Sequence, residues 1–250
     1  MMRDSARLTA LGRALRTRRS AKAAELIGIF GVAFLIVWAG SPWVDGDPLR
    51  RQAVAWVANL AMLGWVWAGL RLRGQGCADI GLPFRFGSRR AILRGAWQSV
   101  LVFTVAVVAF GLGAVLMQNI VGQPDGPDFS GYDYLRDNLI VFLGALASVY
   151  FISSFGEEVI YRGFLVNRIA ELGGQTRAAW CVAVVLSAVV FGYVHSPWGL
   201  AGMIQTGCMG LALGICYLAV RRNLWVNVLA HVYLDTLLLA PIYFGGTQPE

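Results

Sequence analysis

The stretch LIVFLGALASVYFISSF at 139–155, running directly into GEEVIYRG at 156–163, decides how this chain is read. Its first part carries no charge and comes close to the roughly 20 mostly apolar residues, about 17 to 25, that a bilayer-crossing helix needs. Its second part then places Glu157, Glu158 and Arg162 on that apolar run. A charged side chain at membrane depth costs about 2.5 to 3.5 kcal/mol on insertion, so those that persist there are functional candidates.

Outward from this stretch the whole chain has the same character. The 250 residues are 57% hydrophobic and 14% charged, with a mean hydropathy of +0.61, outside the balance of a soluble globular domain. Seven segments are apolar enough to span: Ala23 to Ala39, Val54 to Leu70, Ala96 to Met117, Leu139 to Phe155, Ala178 to Val194, Leu200 to Val220, and Leu224 to Tyr243. The fold class expected is therefore all-α, a polytopic transmembrane helix bundle of about seven spans, with six to eight admissible. No connection is long enough to bury a core of its own, so residues 1–250 read as one membrane domain.

The net charge of +7 does not point to nucleic acid, because the basic residues fall in blocks between apolar runs. Seven precede the first span (Arg3, Arg7, Arg13, Arg16, Arg18, Arg19, Lys22) and six lie between the second and third (Arg71, Arg73, Arg85, Arg89, Arg90, Arg94). Both blocks are expected on the cytoplasmic side, which makes residues 1–22 a basic cytoplasmic segment suited to anionic lipid head groups. The stretch from Gln118 to Asp137, with Asp125, Asp128, Asp133 and Asp137, reads as an external loop. Residues 1–40 also resemble a long signal sequence, and an uncleaved first span is the preferred reading. The localisation expected is a bacterial cytoplasmic membrane, N-terminus inside.

Within the GEEVIYRG segment, Glu158 and Arg162 are four residues apart and share a helix face, where carboxylate and guanidinium can pair. Glu157 lies about 100 degrees around the helix and is left free for chemistry. The two histidines of the chain are His195, at the end of the fifth span, and His231, four residues before Asp235 in the seventh. Such groups suit water activation: a carboxylate beside a histidine takes a proton from water, and a second histidine holds the developing oxyanion. Glu157, His195 and His231 also form a familiar catalytic zinc set, although no helical HExxH is present. A divalent metal such as zinc is thus an open expectation.

These motifs carry a resemblance. EEVIYR fits EExxxR, FGYVH fits FxxxH, and HVYLD fits HxxxN with Asp235 in the last place. In that order and spacing, over about residues 139–240, the chain resembles the CPBP intramembrane endopeptidases. That family joins type II CAAX prenyl proteases with bacterial Abi and bacteriocin-processing proteins. The resemblance implies that Glu157 and His195 activate the attacking water, that His231 and Asp235 bind the scissile carbonyl oxygen, and that Glu158 and Arg162 are structural support. It implies a peptide or protein partner, in some members lipid-modified, within membrane lipid. Asp235 departs from the pattern, because an ionised carboxylate cannot donate to an oxyanion whereas asparagine can. Three readings stay open: a protonated Asp235, one that orients His231, or one that helps bind a cation.

A simple antiparallel layout would set Glu157 and His195 at opposite membrane faces. If the fourth helix instead runs on to about Ala170 and turns at Glu171 to Thr176, Glu157 lies about 14 residues, roughly 21 Å, from the turn, and His195 roughly 27 Å. A long hairpin is therefore expected. Two other functions explain buried Glu, His and Asp: a non-catalytic immunity or scaffold protein of the same fold, and a proton-coupled transporter, for which the paired broken halves are missing from the sequence. Blander readings apply elsewhere. Cys77, Cys181, Cys208 and Cys216 read as small buried hydrophobes, Trp38, Trp43, Trp56, Trp198 and Trp225 as interfacial anchors, Gly207, Gly210 and Gly214 as close-packing positions, and 81–83 as a turn.

Overall fold

The computed structural model describes residues 9–83, 87–122 and 129–245. Arg3, Arg7, Arg85, Asp125 and Asp128 lie outside them. Among the described residues the helices are α1 (Ala10–Thr17), α2 (Arg19–Val44), α3 (Pro48–Leu72), α4 (Arg89–Val121), α5 (Leu139–Leu172), α6 (Arg177–Val194), α7 (Gly199–Ala219) and α8 (Leu224–Tyr243). Helices α2 to α8 are seven elements long and apolar enough to cross a membrane, and the protein is an all-α polytopic bundle.

Helix starts follow from capping chemistry. Asp47 accepts from the Leu49 and Arg50 amides with Pro48 in the first turn of α3, Asn138 accepts from Val141 at the start of α5, and Thr176 accepts from Ala179 at the start of α6. Several helices overrun their apolar stretches. The first span reaches from Arg19 to Val44 and the third from Arg89 to Val121, because hydropathy marks only the part of a helix that lipid covers.

The fourth span is the largest departure from apolar length. α5 continues through the charged segment to Leu172, a turn occupies 173–176, and α6 begins at Arg177. The long hairpin expected from the levels of Glu157 and His195 is what the fold contains. Inside α5 the backbone widens to π-helix over Tyr150–Phe155 and over Glu158–Val166, with Gly156 and Glu157 between. Such bulges within α-helices gather at functional sites.

α8 packs against α4, α5 and α7, while α7 lies between α4 and α6. The shared core includes Val159, Ile160, Phe164, Phe191, Leu213 and Tyr217. Outward faces are apolar as well, among them Ile27, Phe34, Trp97, Leu112 and Val189, as lipid-facing surfaces are. This corrects the cysteine reading: Cys181 is exposed and Cys77, Cys208 and Cys216 are half-buried, since apolar character does not mark the interior of a membrane bundle. Gly210 does serve close packing, because a Cβ there would lie 2.9 Å from Phe191 Cδ1.

A buried ion network ties α2 and α3 to the end of α5. Arg73 donates through Nη2 and Nε to Glu25, and through Nη1 to Glu171 at 3.4 Å. Arg168 pairs with Glu171 and reaches Glu25 at 3.7 Å, and Lys22 lies 3.6 Å from Glu171. At the same end the 77–83 segment docks: Ile80 and Leu82 are buried, and Leu224 N donates to Gly81 O at 2.9 Å. Gly81 has φ +88, and a Cβ there would fall 1.9 Å from Arg222 O. The segment read as a turn is therefore also a latch onto α8.

Candidate active site

Glu158 is the hub of the buried polar cluster. Its Oε1 accepts from Arg162 Nη1 at 2.8 Å and from His231 Nδ1 at 2.9 Å, and its Oε2 accepts from Asn227 Nδ2 at 3.3 Å. Arg162 also donates to Gly210 O on α7 at 3.2 Å, and its guanidinium lies 4.4 Å from the centre of the Phe191 ring. Three helices are thus cross-linked by one carboxylate and one guanidinium. The side chains of Glu158, Arg162 and His231 are 0%, 1% and 3% exposed. Glu158 and Arg162 thus pair along one helix face, as their spacing of four predicts.

Glu157 behaves differently. Its side chain is 13% exposed, its Oε2 is shielded without a hydrogen-bond partner, and that oxygen lies 3.9 Å from His231 Nε2. Adjacent glutamates therefore bracket one imidazole, Glu158 at Nδ1 and Glu157 across from Nε2. A simple helical wheel sends them to separate surroundings, whereas the wide turns of α5 keep both beside His231. Asp235 Oδ1 also stands 3.9 Å from His231 Nε2, and its Oδ2 accepts from Ser154 Oγ at 2.6 Å.

His195 ends α6, and its Nδ1 donates to Phe191 O at 2.7 Å, since a carbonyl can only accept. That bond leaves Nε2 with a lone pair. The ring packs 4.7 Å from Phe191, which also lies 6.3 Å from His231, so one phenyl ring spaces Arg162 and both histidines.

The 129–135 segment covers this side of the cluster. Phe129 meets Trp198 edge-on at 5.0 Å, and Trp198 lies 4.8 Å from His195. Tyr134 donates to Gln52 at 3.1 Å, and Leu135 is fully buried. The Tyr132 phenol belongs to the same segment, its ring packed against the cluster of Leu135, Phe142 and Leu239. Burial first, then Asp235, Tyr134 and Glu157, hold that phenol well above the ordinary tyrosine value. Trp198, expected as an interfacial anchor, also packs against the His195 ring.

Three partners of these residues are not marked in the sequence as such. Asn227 had a signal, since 227, 231 and 235 recur every four residues in an apolar helix. Ser154, three residues before Glu157, had a weaker one. Trp198 sits in a connection whose approach to His195 only tertiary structure shows.

The donors themselves bear on a metal. Both histidines engage Nδ1 and leave Nε2 free, as metal-ligating histidines do. Among the described residues, however, no three His, Cys, Asp or Glu groups converge as ligands of one ion.

Fold and cluster together define a multi-pass membrane protein with an acid and histidine centre between its helices. Residues 139–237, which make up α5, α6, α7 and most of α8, match the family described as type II CAAX prenyl endopeptidase Rce1-like, and this supports membership of the CPBP family. That is a protease family. No curated protein and no solved structure matches the chain.

Proposed function

We propose that the protein is an intramembrane endopeptidase that hydrolyses a peptide bond of a membrane-associated or lipid-tethered peptide with water activated by Glu157 and His195. The observation that carries this reading is the Glu157 Oε2, shielded without a hydrogen-bond partner and held 3.9 Å from His231 Nε2. A shielded carboxylate oxygen without a donor is costly unless a ligand supplies one. Water is that donor here. Glu157 takes its proton, and the His195 Nε2 lone pair accepts the second hydrogen bond. The water oxygen bonds to the carbonyl carbon, and the charge that forms on the carbonyl oxygen is met by His231, whose Nε2 must then carry a proton. Collapse breaks the C–N bond, and the departing amine takes the proton held by Glu157. Glu158 and Arg162 hold His231 in position throughout.

The dimensions of the bundle support a substrate that approaches within the membrane. α6 and α7 have 18 and 21 residues against 33 in α4, so α4 outreaches them by roughly 20 Å. Lipid-modified substrates are the family-level extension of this reading, and the arginine blocks support a cytoplasmic N-terminus in a bacterial membrane.

The test is cleavage of a fluorogenic peptide panel, with and without acyl or prenyl groups, by purified protein in liposomes. Glu157→Gln and His195→Ala should abolish cleavage while insertion and thermal midpoint stay unchanged. Cleavage unaffected by both would remove the assignment. Cleavage stopped by a chelator and restored by zinc would replace it with a metal-centred mechanism.

A further inference from the structure

Resting on that hydrolytic reading, we infer that Asp235 is the lasting counter-ion of a doubly protonated His231, and that Ser154 is the positioning residue that holds it there. The two nitrogens of one imidazole set the requirement. His231 Nδ1 lies 2.9 Å from Glu158 Oε1, and a carboxylate paired with Arg162 only accepts, so Nδ1 carries a proton. Nε2 must carry a second one if it is to meet the oxyanion, which makes the ring a cation. A side chain 3% exposed needs a balancing charge close by if it is to be a cation. The charge of Glu158 is already shared with Arg162 Nη1 at 2.8 Å, and Glu157, 3.9 Å from Nε2, loses its charge when it takes the proton of water. Asp235 Oδ1, also 3.9 Å from Nε2, belongs to the carboxylate whose charge lasts through the cycle.

Ser154 fixes that charge. It is fully buried in the π-helical stretch of α5 just before Glu157, and its hydroxyl donates to Asp235 Oδ2 at 2.6 Å. A hydrogen bond to the ionised form favours that form, and with Oδ2 held by Ser154 the other oxygen faces His231, four residues back on α8. Ser154, Glu157 and Glu158 of α5 are thus ranged along the His231 and Asp235 pair of α8. His195 of α6 stands across the Phe191 ring. α7 carries no charged residue, and the charges of α4 are Arg89, Arg90 and Arg94 at its start. The asparagine of the family motif would offer the oxyanion a neutral amide. Asp235 instead strengthens the donor that remains, because hydrogen bonds from a charged donor are roughly twice as strong as neutral ones.

The experiment pairs the nitrogen NMR spectrum of full-length protein carrying isotopically labelled histidine, in lipid nanodiscs at about pH 7, with kcat and KM on a peptide the wild type cleaves in liposomes. Two histidines give two rings, and His195→Ala assigns them. His231 should show both ring nitrogens protonated in wild type and only one in Asp235→Asn. Ser154→Ala should lower kcat about 10-fold, the worth of one hydrogen bond to a charged group, with KM within about twofold and the thermal midpoint unchanged. In an Asp235→Ala background the same Ser154→Ala change should alter kcat by less than about twofold, since the hydroxyl acts through that carboxylate. A wild-type His231 with an unprotonated ring nitrogen, or an Asp235→Asn ring that stays doubly protonated, overturns the role of Asp235. Wild-type kcat in Ser154→Ala, a change in KM alone, or an equal loss in the Asp235→Ala background overturns that of Ser154. The ring spectra need no substrate and so stand apart from cleavage. If Glu157→Gln cleaves as well as wild type, the hydrolytic reading itself has failed, whatever the rings show.

Discussion

α5 carries two clusters of buried charge, one at 157–162 and one at 168–171, and they are built to opposite ends. In the second, every carboxylate oxygen has a cation: Glu25 is held by Arg73 with Arg168 near, and Glu171 by Arg168, Arg73 and Lys22. Three basic groups face two acidic ones. In the first, three acidic groups, Glu157, Glu158 and Asp235, face one permanent cation, Arg162, and the shielded Glu157 Oε2 has no hydrogen-bond partner. A saturated network can only hold helices together. An unsaturated one, kept rigid by Glu158 and its three donors, has a valence left for a substrate or water.

The contrast can be broken at five points. The largest expected effect is from Glu157→Gln, which should lower kcat about 1,000-fold, in the range of general-base catalysis, with no loss of stability. Arg162→Ala should both silence the protein and destabilise it by about 3–5 kcal/mol, because it strands Glu158 in the core; thermal unfolding in detergent and cleavage by the folded fraction report the two losses separately. Arg73→Ala should cost a similar 3–5 kcal/mol, roughly, by stranding Glu25, yet leave activity per folded molecule intact. Gly210→Ala should cost about 1–3 kcal/mol by pushing on Phe191, seen as a lower midpoint with a smaller loss of kcat. Asn227→Ala should be mildest, about 1 kcal/mol, as Glu158 keeps its other two donors.

The two clusters also differ in how legible they are. Glu157, Glu158, Arg162, His195, His231 and Asp235 stand out because they interrupt apolar runs at helical spacing, and the hairpin that levels Glu157 with His195 follows from counting residues. Arg73 reads only as one of a cytoplasmic basic block, and Glu25 and Arg168 carry no signal although Glu25 lies within an apolar run, because arginines at span ends look the same whether they snorkel to lipid head groups or turn inward to a carboxylate. The π-helical turns of α5 left no mark in periodicity. Ser154 was hidden for a different reason: a hydroxyl group is cheap enough in a membrane helix that its presence signals nothing until a partner is seen.

The most direct measurement sets Glu157→Gln beside Arg73→Ala, recording for each the thermal midpoint and the cleavage rate per folded molecule in liposomes. A crossed result is expected: Glu157→Gln keeps its midpoint and loses cleavage, and Arg73→Ala loses its midpoint and keeps cleavage. A Glu157→Gln protein that unfolds early, or that cleaves as well as wild type, would show that the open cluster is structural and contradict the account.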